Sequence, residues 1–470
     1  MNTKFDAIVI GTGQAGPSLA VRLANAGQKT AILERNLFGG TCVNSGCIPT
    51  KTLIASARTA HVSRHAADYG VMVEGAIHVD MVKVKARKDA VVAQSNQGVT
   101  HWLKSTANLT VIEGHGRLEN ARAVRVNGDL LEAEKIFINV GGRALVPDIP
   151  GLAGIDYLTN STMMDVDFLP EHLVIIGGSY IGLEFAQMYR RFGSRVTVLE
   201  QGSRIVSRED DEVSTAIRDI LVGEGIEFLV NAKNLKVSNA KNGGGQITVS
   251  TNDGTASHVV AGSHLLLAVG RVPNTDDLGL DKAGVKTDER GYIVVDDQLC
   301  TSVPGIWALG DANGRGAFTH TSYNDYEIIV ANLLEGENSG AKRSVKDRIP
   351  CYALFTDPPL ARVGMNERET RAWMQKSGKK ALFGKMMMSR VGRARERGET
   401  QGFMSVLVDA ETKKILGATI LGIEGDEAIH CILDCMYADA PYTVIQRAMH
   451  IHPTVSELIP TLLGNLQPLI

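Results

Sequence analysis

Two copies of one strand–glycine turn–helix–strand–acid pattern, followed by a C-terminal stretch of strands and helices without it, predict an α/β chain. The expected architecture is two Rossmann-like dinucleotide-binding domains plus a C-terminal α+β domain. In the first copy an apolar run at 5–10 leads into Gly11-Thr12-Gly13-Gln14-Ala15-Gly16. A helical pattern through Leu19, Ala20, Leu23 and Ala24 follows, and a second run, Thr30 to Leu33, ends in Glu34, 23 positions after Gly11. The second copy runs from Leu173–Ile176 through Gly177-Gly178-Ser179-Tyr180-Ile181-Gly182, a helix to about Phe192, and Val196–Leu199 to Glu200, again 23 positions after the first glycine. One glycine turn can simply join a strand to a helix, but two with matched acids imply two dinucleotides. The glycines let backbone N–H groups approach a pyrophosphate at a helix N-terminus, and the acids suit ribose hydroxyls. Ser179 stands where the second motif would carry its middle glycine.

Between the copies, residues 51–110 read as helix and 111–140 as short strands ending at Ile136-Phe137-Ile138-Asn139-Val140-Gly141-Gly142. Pro147, Pro150 and Gly151 mark a crossing between domains, and a strand at 264–269 before Gly270 closes the second unit. Another strand ends at Gly310-Asp311; from about 349 the pattern becomes α+β, with strands near 403–408 and 415–421 and helices near 426–437 and 443–449. The resulting division is 1–150, 151–270, 271–345 as a segment returning to the first domain, and 346–470. Asn242-Gly243-Gly244-Gly245 reads as a loop.

Composition narrows the function classes. The chain has 470 residues, 44% of them hydrophobic, and 49 basic against 52 acidic side chains leave a net charge of −3. Such balance argues against nucleic acid or a membrane surface as partner, and no apolar run is long enough for a membrane span. The N-terminal apolar run is too short for a signal peptide, so a soluble, cytoplasmic protein is expected. Six cysteines are too few for a secreted disulfide framework.

Two of them, Cys42 and Cys47, lie five positions apart in Gly39-Gly40-Thr41-Cys42-Val43-Asn44-Ser45-Gly46-Cys47-Ile48-Pro49-Thr50-Lys51. Positions i and i+5 are not superposed on a regular helix, so bridging them requires a distorted first turn, for which Gly46 and Pro49 are suited. A helix N-terminus and a nearby lysine favour thiolate, as a redox pair requires. Unconnected buried cysteines are the bland alternative, and zinc lacks a second CxxC or a His pair at ligand spacing. Near the end, His452-Pro453-Thr454-Val455-Ser456-Glu457 offers a histidine oriented by a carboxylate, a suitable acid/base for a thiol that must reach the cysteines by folding or from another subunit. Cys431 and Cys435, at i and i+4, are expected to be core cysteines rather than a metal site, and Met386–Met388 an apolar strand rather than copper ligands. His430 and His450 read as structural, and no metal site is expected.

Taken together, the CVNSGC-IPTK segment, the two βαβ units, TSVPGIWALGD and HPTVSE resemble the FAD-dependent pyridine nucleotide–disulfide oxidoreductases, the family of lipoamide dehydrogenase, glutathione reductase and mercuric reductase. The resemblance spans the chain from Val9 to Glu457. It implies FAD at Gly11, Gly13, Gly16, Glu34, Thr41, Lys51, Gly141 and Asp311, and a nicotinamide nucleotide at Gly177, Gly178, Tyr180, Gly182, Glu200 and Gly270. Cys42 would be the interchange thiol and Cys47 the thiol in charge transfer with the flavin. Lys51 paired with Glu184 would tune the flavin, Tyr180 would cover the nicotinamide pocket, and His452 and Glu457 would act across the two-fold axis of a homodimer joined through the C-terminal dimerisation domain. Glu200 favours NADH, while Arg204 and Arg208 leave NADPH open.

Within the family, the chain's last residues lack a vicinal cysteine pair and His452-Pro453 is retained, which speaks against mercuric reduction itself. IPTK in place of IPSK departs from lipoamide dehydrogenases, and Arg393-Ala394-Arg395 resembles a bacterial branch linked to reactive-chlorine and metal stress. The expected function is transfer of two electrons from NADH through FAD to the Cys42–Cys47 disulfide and on to a small disulfide, soft-metal or oxidant acceptor. Lipoamide dehydrogenase, or a flavin oxidase or transhydrogenase that bypasses the disulfide, is the alternative.

Overall fold

A computed structural model describes residues 2–239, 247–254, 256–336 and 342–470; the loop expected at Asn242–Gly245 lies outside the described residues. The first sheet has seven strands. Its parallel part runs Leu109–Glu113, Thr30–Glu34, Asn2–Ile10, Asp129–Ile138, and Ile306–Ala308 also pairs in parallel with Asp129–Ile138, so a strand 168 residues further on (306 − 138) returns to the sheet. The helix Ala15–Asn25 packs on one face and the hairpin of Arg117–Asn120 with Ala123–Val126 on the other, where Leu33, Ile10 and Val124 close around Gly116, so Thr30–Glu34 is buried at every position.

The second sheet is five parallel strands in the order Glu227–Leu229, Arg195–Leu199, His172–Ile176, His264–Leu267, Tyr157–Thr159. Successive residues of its central strand serve opposite faces. Leu173 and Ile175 pack with Leu183, Phe185 and Met188 of the helix Tyr180–Phe192, whereas Val174 and Ile176 pack with Val237, Ile247 and Val249 of a three-stranded antiparallel sheet. The chain crosses between the two parallel sheets twice, and the crossings pair as the antiparallel ribbon Gly142–Ala144 with Arg271–Pro273. Beside the first crossing, Pro150 accepts a hydrogen bond from the Val237 amide at 2.9 Å.

The C-terminal part is a six-stranded antiparallel sheet in the order Cys351–Leu354, Leu360–Gly364, Ile415–Leu421, Phe403–Asp409, Ala381–Met387, Gln467–Pro468. Met386 is buried and Met387 exposed at the end of the strand Ala381–Met387, and Met388 is buried in the turn that follows. Cys435 is buried and Cys431 half-buried on the helix His430–Tyr437; both thiols face backbone carbonyls. Among the described residues no group of three or more histidine, cysteine or acidic side chains is placed to hold a metal, and no helix is long and apolar enough to cross a membrane.

The three parts meet at one buried ion network. Arg58, on the helix Cys47–Arg64, donates to both carboxylate oxygens of Asp357 at 2.6 Å and to Glu399 at 2.6 Å. Arg191, on the helix Tyr180–Phe192, reaches Glu224 at 2.7 Å and also pairs with Asp357, while Gln187 donates to the Asp357 carbonyl and accepts from its amide. The two guanidinium groups hold the Asp357 carboxyl below its ordinary range against the opposing effect of burial. Burial, then Arg191, pushes neighbouring His61 down to about 4, so that the imidazole adds no charge. Removing one member of a buried charge cluster leaves its partner uncompensated. The substitution Asp357→Asn should therefore cost about 3 kcal/mol and lower the thermal midpoint of the holoenzyme; an unchanged midpoint would show the network to be idle.

Candidate active site

Each glycine turn is a cradle drawn tight by the same contacts. A Cβ on Gly11, at φ +103°, would lie 2.3 Å from the Asn139 carbonyl oxygen, and one on Gly177, at φ +115°, 2.4 Å from that of Ala268. A Cβ on Gly16 would meet the Gly11 oxygen at 2.2 Å, and one on Gly182 the Gly177 oxygen at 2.0 Å. The helices that follow, Ala15–Asn25 and Tyr180–Phe192, begin without a capping side chain. No capping side chain therefore competes with a ligand at either helix start, as a pyrophosphate site requires. Asn139 braces the first turn, donating to the carbonyls of Gly13 and Gly11 at 3.1 and 3.3 Å, a role that the sequence did not reveal.

The acids repeat the symmetry. Glu34 accepts from the Thr12 amide at 2.9 Å and from Asn36 at 2.9 Å; Glu200 accepts from the Gly178 amide at 2.7 Å and from Gly202 at 2.7 Å. Each carboxylate is fixed at the mouth of its own turn. These observations fit two dinucleotides, with FAD at the first and a nicotinamide nucleotide at the second. Arg204 is already engaged by Asp211 and by the carbonyls of Ser207 and Glu209. Asp311 lies in the short turn Gly310–Asn313, where burial pushes its carboxyl up and Arg271, 3.6 Å away, opposes this. Gly141 and Gly270 stand at the two ends of the crossing ribbon, both with positive φ.

The cysteines are arranged differently from a single distorted turn. Thr41 and Cys42 belong to a short helix, Gly40–Asn44; the chain breaks at Ser45 and Gly46, and Cys47 starts the helix Cys47–Arg64. The break arises because a Cβ at Gly46 would lie 2.8 Å from the Thr41 carbonyl oxygen, so only glycine lets the two helices approach. The two sulfurs interact. The hydrogen bond from Cys42, then that from Thr319, then the charge of Lys51 bring Cys47 down to about 6 against the cost of burial. The hydrogen bond to Cys47 and burial push Cys42 up strongly. A single negative charge is therefore parked on Cys47.

Lys51, one turn along, donates to both oxygens of Glu184 at 3.0 and 2.9 Å and lies 4.5 Å from the Phe355 ring centre; the Phe355 amide donates to Glu184 at 3.0 Å. Thr319, whose hydroxyl lies 3.1 Å from the Cys47 sulfur, carries no sequence signal, being 272 positions away. Tyr180 packs against Phe318 and Tyr352 at 6.4 and 5.7 Å between ring centres. The dyad forms as expected, with His452 Nδ1 2.8 Å from Glu457 Oε2, but its imidazole is 80% exposed and Glu457 only 14%. Among the described residues no hydrogen bond joins the dyad to Cys42 or Cys47 within one chain. Met449 and Ile451 beside it are likewise exposed, while Arg393 donates to the Pro453 carbonyl at 2.6 Å.

Sequence and structure comparisons agree with this geometry. Residues 5–325 match the pyridine nucleotide-disulphide oxidoreductase family and residues 351–463 its dimerisation domain. The chain belongs to this family, and is an enzyme that uses FAD and NAD(P)H. It is 38% identical over 463 residues to the probable pyridine nucleotide-disulfide oxidoreductase RclA of Escherichia coli, with 97% of each chain covered. It is 33% identical to the dihydrolipoyl dehydrogenase of Cupriavidus necator over 98% of this chain and 97% of that one. The mercuric reductase of Lysinibacillus sphaericus is 31% identical over 91% of this chain and 76% of its own. A solved structure described as the Cu(II) complex of the HOCl-induced flavoprotein disulfide reductase RclA superposes with a TM-score of 0.87 at 36% identity, covering 98% of this chain and 99% of that one. The chain is an NAD(P)H-dependent flavoprotein disulfide reductase.

The thiolate assignment predicts a pH dependence. Cys47 of the reduced enzyme is charged above about 6 and protonated below it, so the ultraviolet thiolate absorbance should fall as pH drops through that value. Thr319→Ala, which deletes one donor, should move the midpoint up by about one pH unit.

Proposed function

We propose that this enzyme passes two electrons from NADH through FAD to a Cys42–Cys47 disulfide, and that Cys42 then reduces a small disulfide, a soft metal ion such as Cu(II), or an oxidant, as part of a cytoplasmic stress response. The observation that carries this reading is the unequal pair of thiols beside the Lys51–Glu184 ion pair. When bound, FAD supplies a two-electron carrier between nicotinamide and disulfide.

The residues of the chain then have distinct tasks. Cys47, at a helix N-terminus and beside Lys51, stabilises the charge left when the disulfide opens. Cys42 keeps its proton and so needs a base before it attacks an acceptor. His452, oriented by Glu457 and turned outward, is suited to be that base for the Cys42 of a partner subunit. This makes the functional unit a homodimer, consistent with the family's dimerisation domain. With a disulfide acceptor, Cys42 sulfur forms a mixed disulfide and one acceptor thiol leaves, taking a proton; Cys47 then attacks Cys42, releasing the second thiol and restoring the disulfide. With Cu(II), two ions take one electron each from the dithiol.

The glycine turns and Glu34 support FAD in the segments 1–150 and 271–345, and Glu200 supports NADH in 151–270. A 2′-phosphate would meet the Glu200 carboxylate, and Arg204 is already committed, which favours NADH over NADPH. The Cu(II) complex and the hypochlorous acid induction named for the E. coli relative support the stress reading over lipoamide oxidation.

Anaerobic titration with NADH should produce a long-wavelength absorption band at two electrons per flavin; bleaching without the band would reject the disulfide relay. Cys42→Ser should abolish turnover with disulfide and Cu(II) acceptors yet leave flavin reduction by NADH intact. His452→Ala should lower disulfide turnover about 10²- to 10⁴-fold, and full activity in that variant would remove the dyad from the mechanism. Glu200→Ala should reduce the NADH preference, read as the ratio of kcat/KM for the two nucleotides.

A further inference from the structure

We propose that Glu209 is the latch of the nicotinamide site: a buried carboxylate whose hold on the Tyr180 hydroxyl sets how tightly NADH binds. This rests on the reading of Tyr180 as the cover of the nicotinamide pocket, and it goes beyond that reading in naming what holds the cover shut.

Glu209 is 0% exposed, yet it lies on a loop. Its Oε1 accepts from two tyrosine hydroxyls, Tyr180 at 2.8 Å and Tyr352 at 2.7 Å, and its Oε2 accepts from Arg362 at 3.0 Å. Tyr352 and Arg362 face each other across adjacent strands of the C-terminal sheet. Those two donors alone are fixed partners. The third, Tyr180, sits on a ring that must leave its packing against Phe318 and Tyr352 to admit a nicotinamide.

The loop itself points to the same role. It begins at Glu200, which grips the Gly178 amide, and ends at Glu209, which grips Tyr180, so one segment touches the glycine turn and the cover. Midway, Val206 is held at φ +39°, a conformation costly for a β-branched residue, and is buried. Its amide donates to the Gly178 carbonyl and its carbonyl accepts from the Glu209 amide, both at 2.8 Å. Such strain persists where the surroundings fix a functional position.

An O–H donor to an ionised carboxylate makes one of the stronger hydrogen bonds, and burial strengthens it further. NADH binds only the open state, so its apparent Kd is the intrinsic value divided by the open fraction. Weakening the latch must therefore tighten NADH while leaving hydride transfer alone. Glu209 is a positioning residue in this scheme.

The test is anaerobic stopped-flow reduction of the holoenzyme by NADH, separating Kd from the limiting rate. Tyr180→Phe keeps the ring and loses the hydroxyl; Glu209→Gln keeps the shape and loses the charge, and Asp210, 3.3 Å from Arg362, remains to pair the guanidinium. Each should lower the NADH Kd about tenfold, and in Glu209→Gln the limiting rate should stay within about twofold of the parent. Should Glu209→Gln fail to retain FAD, Tyr180→Phe decides alone. An unchanged Kd in Tyr180→Phe overturns the latch. In that case Tyr180→Ala separates the two readings: a changed Kd keeps Tyr180 as the cover and removes only Glu209, whereas an unchanged Kd removes the cover as well.

Discussion

Everything at the active site depends on the packing of the helix Cys47–Arg64 along the helix Tyr180–Phe192. Lys51 and Arg58 are seven residues apart, as are Glu184 and Arg191, so each pair lies two turns apart on one face. Lys51 meets Glu184 directly, and Arg58 meets Arg191 through Asp357. Two tie points in the same order make the helices run parallel, with their N-termini at the same end. One N-terminus bears Cys47, the other Tyr180. A third helix, Thr319–Val330, brings its own N-terminus there, with Thr319 on the Cys47 sulfur and Phe318 beside Tyr180. The starts of the Cys47 and Thr319 helices meet at the sulfur and favour negative charge there, which suits a thiolate, while the start of the Tyr180 helix lies at its own glycine turn.

This arrangement also separates the charges that hold the site from those that react. The Asp357 network is anchored by the nearly buried Arg191 and by Asp357, with Arg58 and Glu399 reaching toward solvent, and its carboxylates are committed to guanidinium groups. The Lys51–Glu184 pair is intermediate: Glu184 is nearly buried, Lys51 about one-third exposed. The backbone joins the two, since Phe355 donates to Glu184 and Asp357, two residues on, is clamped by both arginines. The clamp therefore fixes the orientation of the carboxylate that fixes Lys51, and Lys51 acts on Cys47.

What the sequence disclosed follows from how local each feature is. Both dinucleotide units were legible because turn, helix and acid fall within 24 residues and repeat at the same spacing. Lys51 and Glu184 could be paired only through the family resemblance, being 133 positions apart. The break between the two cysteine-bearing helices was anticipated as a distortion of one, since the spacing showed that a regular helix fails but not that Gly46 would split it. Thr319, Asp357, Glu209 and Arg362 had no signal at all. Each acts through a partner more than 140 positions away, except for the Tyr180–Glu209 contact, 29 positions apart, which crosses from a helix to an irregular loop where no periodicity applies.

The exposed dyad gives the last step of the argument. A histidine fixed through Nδ1 by a largely buried glutamate has surrendered rotational freedom without gaining, among the described residues, a partner for its other nitrogen, and the apolar side chains of Met449 and Ile451 next to it are left facing water. Both costs are offset if this surface is covered by a second copy, because the same contact removes apolar area from water and delivers the imidazole to a thiol that retains its proton. The hydrogen bond between the two thiols raises Cys42 and lowers Cys47, which leaves the thiol that is proposed to attack in need of a base. On the proposed mechanism, the C-terminal domain holds the candidate base where its own chain's cysteines form no hydrogen bond with it. If His452 serves the Cys42 of a second copy as proposed, dimerisation and acid/base chemistry are one constraint, and a monomer of this chain should keep its flavin chemistry while losing efficient exchange with an acceptor.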